Sequence, residues 1–223
     1  MIFRQLLDPD SCTLTYLIAD PSSHEAVIID PVKSQVPLLL AILSEQQSKL
    51  KYVLRTHVHR PRRTDSAGLS EATGARYLIG AANPADIVAE RLKEGDSLQF
   101  GGQQIQVIET PGHTPGCVSY LWLDRVFCGD VMEIGGCGQA EDETDPGVMF
   151  DSVIDKLFPL ADETLVFPCH DYSGRTVSTV AEERKRNSAF SGVSRDLFIA
   201  RMKLIPKRPA APDAKWPTET EDQ

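Results

Sequence analysis

The chain has 223 residues, of which 41% are hydrophobic, enough for a sizeable core and too apolar for a disordered chain. A formal net charge of −9 argues against a nucleic-acid footprint, and no apolar run approaches the roughly 20 residues that span a bilayer. The cysteines at 12, 117, 128, 137 and 169 are odd in number with no C-x-x-C pair, which suits free thiols in a reducing cytoplasm.

In chain order, MIFRQLLDPDSC carries no basic, apolar and small-residue series of a signal peptide. LTYLIAD (14–20) and EAVIID (25–30) are β-branched runs around the turn cluster PSSH and predict a hairpin. The Asp30-Pro31 step ends its second strand. VPLLLAILSEQQ (36–47) has helical length and a one-sided apolar face, and KYVL (51–54) is a short strand leading into His57 and His59. A short helix over 66–73 closes at Gly74, and RYLIG (76–80) is another strand. The stretch 87–116 holds a β-turn-β pattern around Gly101 and Gly102 and ends in the loop TPGHTPG. CVSYLWL (117–123) and RVFCGD (125–130) form a second hairpin with Asp124 at its tip. A helix over 150–160, a strand over 164–172 and a helix over 176–187 with a threonine start follow. One domain over 1–207 and a Pro-rich, charged tail over 208–223 are expected.

His57, His113, Asp130 and His170 each fall where a predicted strand runs out into a loop, and such positions converge on one sheet edge. Taken singly, each has a plain structural reading. A His-x-His pair is more often structural, the glycines and prolines around His113 are also turn chemistry, and Asp130 alone is a turn acid. Their joint order is what singles them out.

The segments THVH, ETPGHTPGCVSY, VFCGDVM with GGCG, and FPCHDYSGRTVSTVAEERKRN resemble, in order and spacing, the persulfide dioxygenase branch of the metallo-β-lactamase superfamily. FRQLLDPDSCTLTYLIAD extends the likeness toward the N-terminus. The resemblance implies an α/β (α+β) fold, an αββα sandwich of two mixed sheets flanked by helices. It also implies one non-haem Fe(2+) per chain, with zinc as the alternative, and oxidation of a glutathione persulfide-like thiol by O2 to sulfite. It carries over His57, His113 and Asp130 as catalytic metal ligands, the two-imidazole, one-carboxylate set that suits iron with open positions. His59 and His170 would act in the outer shell, and Thr114 and Tyr172 match positions that touch the thiol.

The departures are equally specific. The family pattern HxHxDH reads His57-Val58-His59-Arg60-Pro61-Arg62, so the acid and histidine of a second metal are replaced. Proline offers no ligand atom and arginine stays protonated, so one metal is expected where a glyoxalase II-like zinc thioester or lactone hydrolase uses two. Arg62 would put a fixed positive charge near Asp130, and Arg60 and Arg63 read as a solvated loop. Family arginines that grip substrate carboxylates are replaced by Gln139 and Ala189, leaving Arg175 as one group able to take over. The resemblance allows a homodimer and, with no rhodanese-like segment in the chain, implies a separate sulfurtransferase or metabolite as persulfide donor. A non-catalytic member of the fold is the remaining alternative.

Overall fold

The computed structural model describes residues 1–59, 67–84, 86–138 and 143–205. Arg60, Pro61, Arg62, Arg63, Gln139 and the tail 208–223 lie outside the described residues.

The first sheet is six-stranded: β1 (Ile2–Asp8), β2 (Thr13–Asp20), β3 (Glu25–Ile29), β4 (Lys49–Leu54), β5 (Arg76–Gly80) and β6 (Glu90–Leu92), side by side in that order. β1, β2 and β3 are antiparallel, whereas β3 to β6 are parallel. Two of the three parallel steps are crossed by helices, β3 to β4 by α1 (Val36–Glu45) and β4 to β5 by α2 (Ala67–Thr73). The second six-stranded sheet begins with β7 (Ser97–Phe100), β8 (Gln103–Glu109), β9 (Val118–Trp122) and β10 (Arg125–Gly129). It is completed by β11 (Leu165–Pro168) and β12 (Ser178–Thr179), with β10 and β11 parallel. Its outer face carries α3 (Pro146–Ser152), a π-helical turn over Val153–Leu157, α4 (Val180–Arg186) and α5 (Arg195–Leu204).

Strand alternation explains the layers. Leu14, Tyr16 and Ile18 of β2 point into the space between the sheets, where they meet Phe127, Phe167 and Trp122. Leu17 and Ala19 point outward under Leu39 and Leu43 of α1. On the far side, Val126, Cys128 and Val166 pack beneath Phe150, Phe190 and Phe198. The result is the expected αββα sandwich of two mixed sheets.

The elements agree with the expected hairpins, with two shifts at helix ends. The helix expected over 150–160 begins earlier, at Pro146, because Asp145 caps it by accepting the Val148 amide (3.1 Å). The threonine start of the later helix is Thr179, whose Oγ1 accepts the Glu182 amide (3.1 Å), while Ser178 and Thr179 form β12. β1, β6 and α5 were not expected. No helix among the described residues is long and apolar enough to cross a membrane.

The sheets are joined at both ends of the sandwich. At one end the β7–β8 turn docks on the β2–β3 turn, with the Gly102 amide on Asp20 Oδ2 (2.9 Å) and the Gly101 amide on Glu25 Oε2. At the other, the Leu14 amide bonds the Cys169 carbonyl (2.7 Å), and the Tyr16 hydroxyl donates to the Pro168 carbonyl. The second end is where β4, β8, β10 and β11 release their loops.

Candidate metal centre

His57, His59, His113 and Asp130 each present one ligand atom, and all four atoms lie within 4.8 Å of one another. His57 and His59 come from the end of β4, His113 from the loop after β8, and Asp130 from the end of β10. Asp130 Oδ2 is 3.4 Å from His57 Nε2 and 3.5 Å from His113 Nε2. Donor atoms about 2.0–2.1 Å from a shared ion stand roughly 3.0–3.4 Å apart, so the set fits one metal ion with little movement. The other oxygen, Asp130 Oδ1, accepts from His170 Nδ1 at 2.7 Å. His170 thus bonds the carboxylate oxygen that is not the one nearest His57 and His113, and its ring lies 6.2 Å from that of His57. His59 is closer to the centre than an outer-shell role implied: its Nε2 is 3.3 Å from His113 Nε2.

The electrostatics sort the imidazoles. Burial pushes the His57 ring well below its ordinary pKa, against the pull of Asp130, so it presents a neutral lone pair. Burial acts the same way on His170, but Asp130 outweighs it and the net shift is upward. Burial would raise Asp130; the charge and hydrogen bond of His170 instead hold it well below the usual carboxylate range. A carboxylate kept ionised beside the neutral His57 ring is the electrostatic form a divalent cation requires.

Beneath the donors lies a buried floor that sequence reading did not pick out. Asp30 is fully buried with a left-handed φ of 51°, and its carboxylate accepts the Thr56 amide (2.8 Å) and hydroxyl (2.7 Å). Thr56 Oγ1, having donated its proton to Asp30, faces His57 Nδ1 at 3.0 Å and can accept the ring N–H there. That bond holds Nε2 unprotonated toward Asp130. Two glycines let the backbone close on this floor. Gly129, at φ 62°, would place a Cβ 2.7 Å from Thr56 Oγ1. A Cβ on Gly138 would overlap the Asp130 carbonyl and stand 3.0 Å from His113 Nδ1. On the far side, His170 Nε2 is 3.2 Å from Thr13 Oγ1 of β2, a partner with no mark in the sequence.

The candidate substrate residues separate. Tyr172 is 47% exposed and stacks on His170 with ring centroids 5.7 Å apart. Thr114 is buried, and its amide and hydroxyl both face Cys117 Sγ at 3.2 Å, so its polar atoms serve the turn that carries His113. Arg175 is exposed and pairs with Glu182 at 2.9 Å, and Ala189 packs against the outer apolar cluster.

No protein-family model matches the chain. Among curated proteins it is 38% identical, over 84% of its length and 75% of the relative's, to "Persulfide dioxygenase ETHE1, mitochondrial" from Homo sapiens. The crystal structure of ETHE1 from Myxococcus xanthus superposes with a TM-score of 0.88 at 43% identity, covering 94% of this chain and 93% of that one. A hydroxyacylglutathione hydrolase from Photobacterium profundum is more distant, 31% identical over 75% of this chain and 66% of the relative. Sequence and superposition agree over most of both chains, and the chain belongs to the persulfide dioxygenase family, within the metallo-β-lactamase fold.

Proposed function

We propose that this chain is a mononuclear non-haem iron persulfide dioxygenase acting on a low-molecular-weight thiol persulfide of the glutathione type. The observation that carries this reading is the single compact donor set around Asp130 Oδ2 in a chain of this family. The balanced reaction is R–S–SH + O2 + H2O giving R–SH, sulfite and two protons. His57, His113 and Asp130 would hold the ion. When bound, iron supplies the redox chemistry that lets O2 react with the terminal sulfur of the persulfide.

The protein's own contribution is placement and charge. Asp30 and Thr56 fix the His57 ring, and His170 fixes the Asp130 carboxylate through its other oxygen, Oδ1. Tyr172, stacked on His170, offers an exposed aromatic face at the rim. Arg62, which stands at a second-metal position of the family motif in the sequence, lies outside the described residues. Five free cysteines support a reducing, cytoplasmic setting, and a separate sulfurtransferase or metabolite would supply the persulfide. A homodimer is compatible with this reading.

A zinc hydrolase is the second reading, favoured by the position of His59, which turns three donors into four. Metal analysis of protein purified without added metal, followed by oxygen-electrode assays with glutathione persulfide, separates the two. One iron per chain and stoichiometric O2 uptake with sulfite formation are expected. Two tightly held zinc ions and thioester cleavage without O2 uptake would overturn the dioxygenase.

A further inference from the structure

Of the two positions without the family arginines, Ala189 adjoins a turn that leads to the donor cluster, and Gln139 lies outside the described residues. Ser188, just before Ala189, bonds the Gly135 carbonyl through its amide (3.1 Å) and hydroxyl (2.7 Å). Gly135 belongs to the turn closed by paired amide–carbonyl bonds between Glu133 and Gly136, which leads to Gly138 against Asp130 and His113. Gln139 follows directly in sequence. The rim thus runs from Gly135 to the donor cluster, with residue 189 behind it.

Arg175 reaches this rim from a different element. A Cβ on Gly135 would lie 3.8 Å from Arg175 Nη1, so the guanidinium stands over the turn. Its backbone is fixed by Asp171, next to His170, whose Oδ1 accepts the amides of Ser173 (2.9 Å), Gly174 (2.7 Å) and Arg175 (3.1 Å). Arg175 Nη2 donates to Glu182 Oε1 (2.9 Å), while Nη1 meets no protein acceptor among the described residues. The side chain is 47% exposed.

We propose that Arg175 is the carboxylate-binding, specificity-determining residue of the substrate rim, supplying from the 171–175 turn the grip that positions 139 and 189 lack. Glu182 is its resting partner, and a substrate carboxylate shares or displaces that pair. A guanidinium beside Gly135, rather than among the donors, selects persulfides whose carboxylate lies several bonds from the reacting sulfur, as in a tripeptide thiol. Short or esterified persulfides gain nothing from it. The inference rests on the persulfide reading above.

Iron-loaded full-length protein is assayed for O2 uptake with glutathione persulfide and with its diethyl ester, for wild type, Arg175→Gln, Arg175→Lys and Glu182→Gln. A charge-assisted bond at a half-exposed arginine is weaker than a buried one, so Arg175→Gln is expected to raise KM for glutathione persulfide about 5- to 10-fold. Its kcat and its KM for the ester should stay unchanged. Arg175→Lys should fall between, and Glu182→Gln should lower KM for the acid alone. An unaltered KM in Arg175→Gln, with wild-type turnover intact, overturns the proposal. If the wild type turns over neither persulfide, the dioxygenase reading fails instead. Calorimetric titration with glutathione, which needs no turnover, then decides Arg175: about the same 5- to 10-fold loss of affinity in Arg175→Gln supports it, and equal affinity refutes it.

Discussion

Thr56 couples the core to the candidate metal centre through His57: its hydroxyl is 2.7 Å from Asp30 Oδ2 and 3.0 Å from His57 Nδ1. The hydroxyl can serve both only by donating to the carboxylate and accepting from the ring. Removing it frees the His57 tautomer without removing a ligand. Thr56→Val should weaken metal binding roughly 10- to 100-fold, while Thr56→Ser should retain most of it. Competition with a calibrated chelator measures both, and equal affinities in all three proteins would refute the role.

His57 and His59 are expected to differ although both lie in the donor group. His57 is 2% exposed and held by Thr56, whereas His59 is half-buried and ends the described part of its loop. His57→Ala should abolish stoichiometric iron binding. His59→Ala should keep one ion with a loss of roughly 10- to 100-fold, since a ligand outside the fixed set contributes like an outer partner. Equal, complete losses in both variants would mark a four-donor site and favour zinc.

Gly138 carries no side chain because there is no room for one. Its amide bonds the Asp130 carbonyl at 3.0 Å, and a methyl group there would overlap that same carbonyl. Gly138→Ala should therefore cost about 1–3 kcal/mol in urea unfolding, typical of overpacking, and shift Asp130 relative to His113. Metal affinity should fall in parallel. Gly136→Ala, with nothing within 4 Å of the added Cβ, is the control and should be silent.

The end of the sandwich away from the site should be acid-sensitive. The Gly102 amide, followed by that of Ser22, holds Asp20 below its ordinary 3.8. The Gly101 amide, followed by Lys51, holds Glu25 below its ordinary 4.5. Carboxyls depressed in the folded state contribute fully above their unfolded pKa values and lose that contribution as pH falls through the lower folded ones. Melting temperature should thus drop between about pH 5 and pH 3. Asp20→Asn with Glu25→Gln should flatten that drop while lowering stability at pH 7. An unchanged pH profile in the double variant would show that the clamp contributes nothing.

Much of this organisation was legible in the sequence, for identifiable reasons. The β2–β3 and β9–β10 hairpins announce themselves because β-branched runs are interrupted by short turns. His57, His113, Asp130 and His170 were readable as a group because each follows such a run. Other features carry weak local patterns. β1 has burial on both faces without clean alternation, and β6 spans only Glu90–Leu92. α5 buries only Phe198 and Met202, a single i,i+4 pair among apolar and charged residues with no clear one-sided face. The floor was hidden for a different reason. Asp30 reads as an acid ending a strand, and its role depends on a partner distant in the chain, Thr56, and on a backbone conformation no pattern reports. Likewise, nothing in the motif around Thr114 reports that its hydroxyl faces Cys117.

The donors come from both halves of the sandwich. His57 and His59 leave the β1–β6 sheet, and His113 and Asp130 leave the β7–β12 sheet. An ion held between them is a rivet as well as a reaction centre, because parting the sheets means breaking coordinate bonds. Without it, that seam relies on apolar contact and a few bonds such as Leu14 to Cys169. A ligand that binds only the folded state stabilises it by mass action, and the unfolded fraction is what proteases remove. Metal supply would then set how long each molecule survives, so that starvation for the ion thins the population of this protein before it slows any survivor.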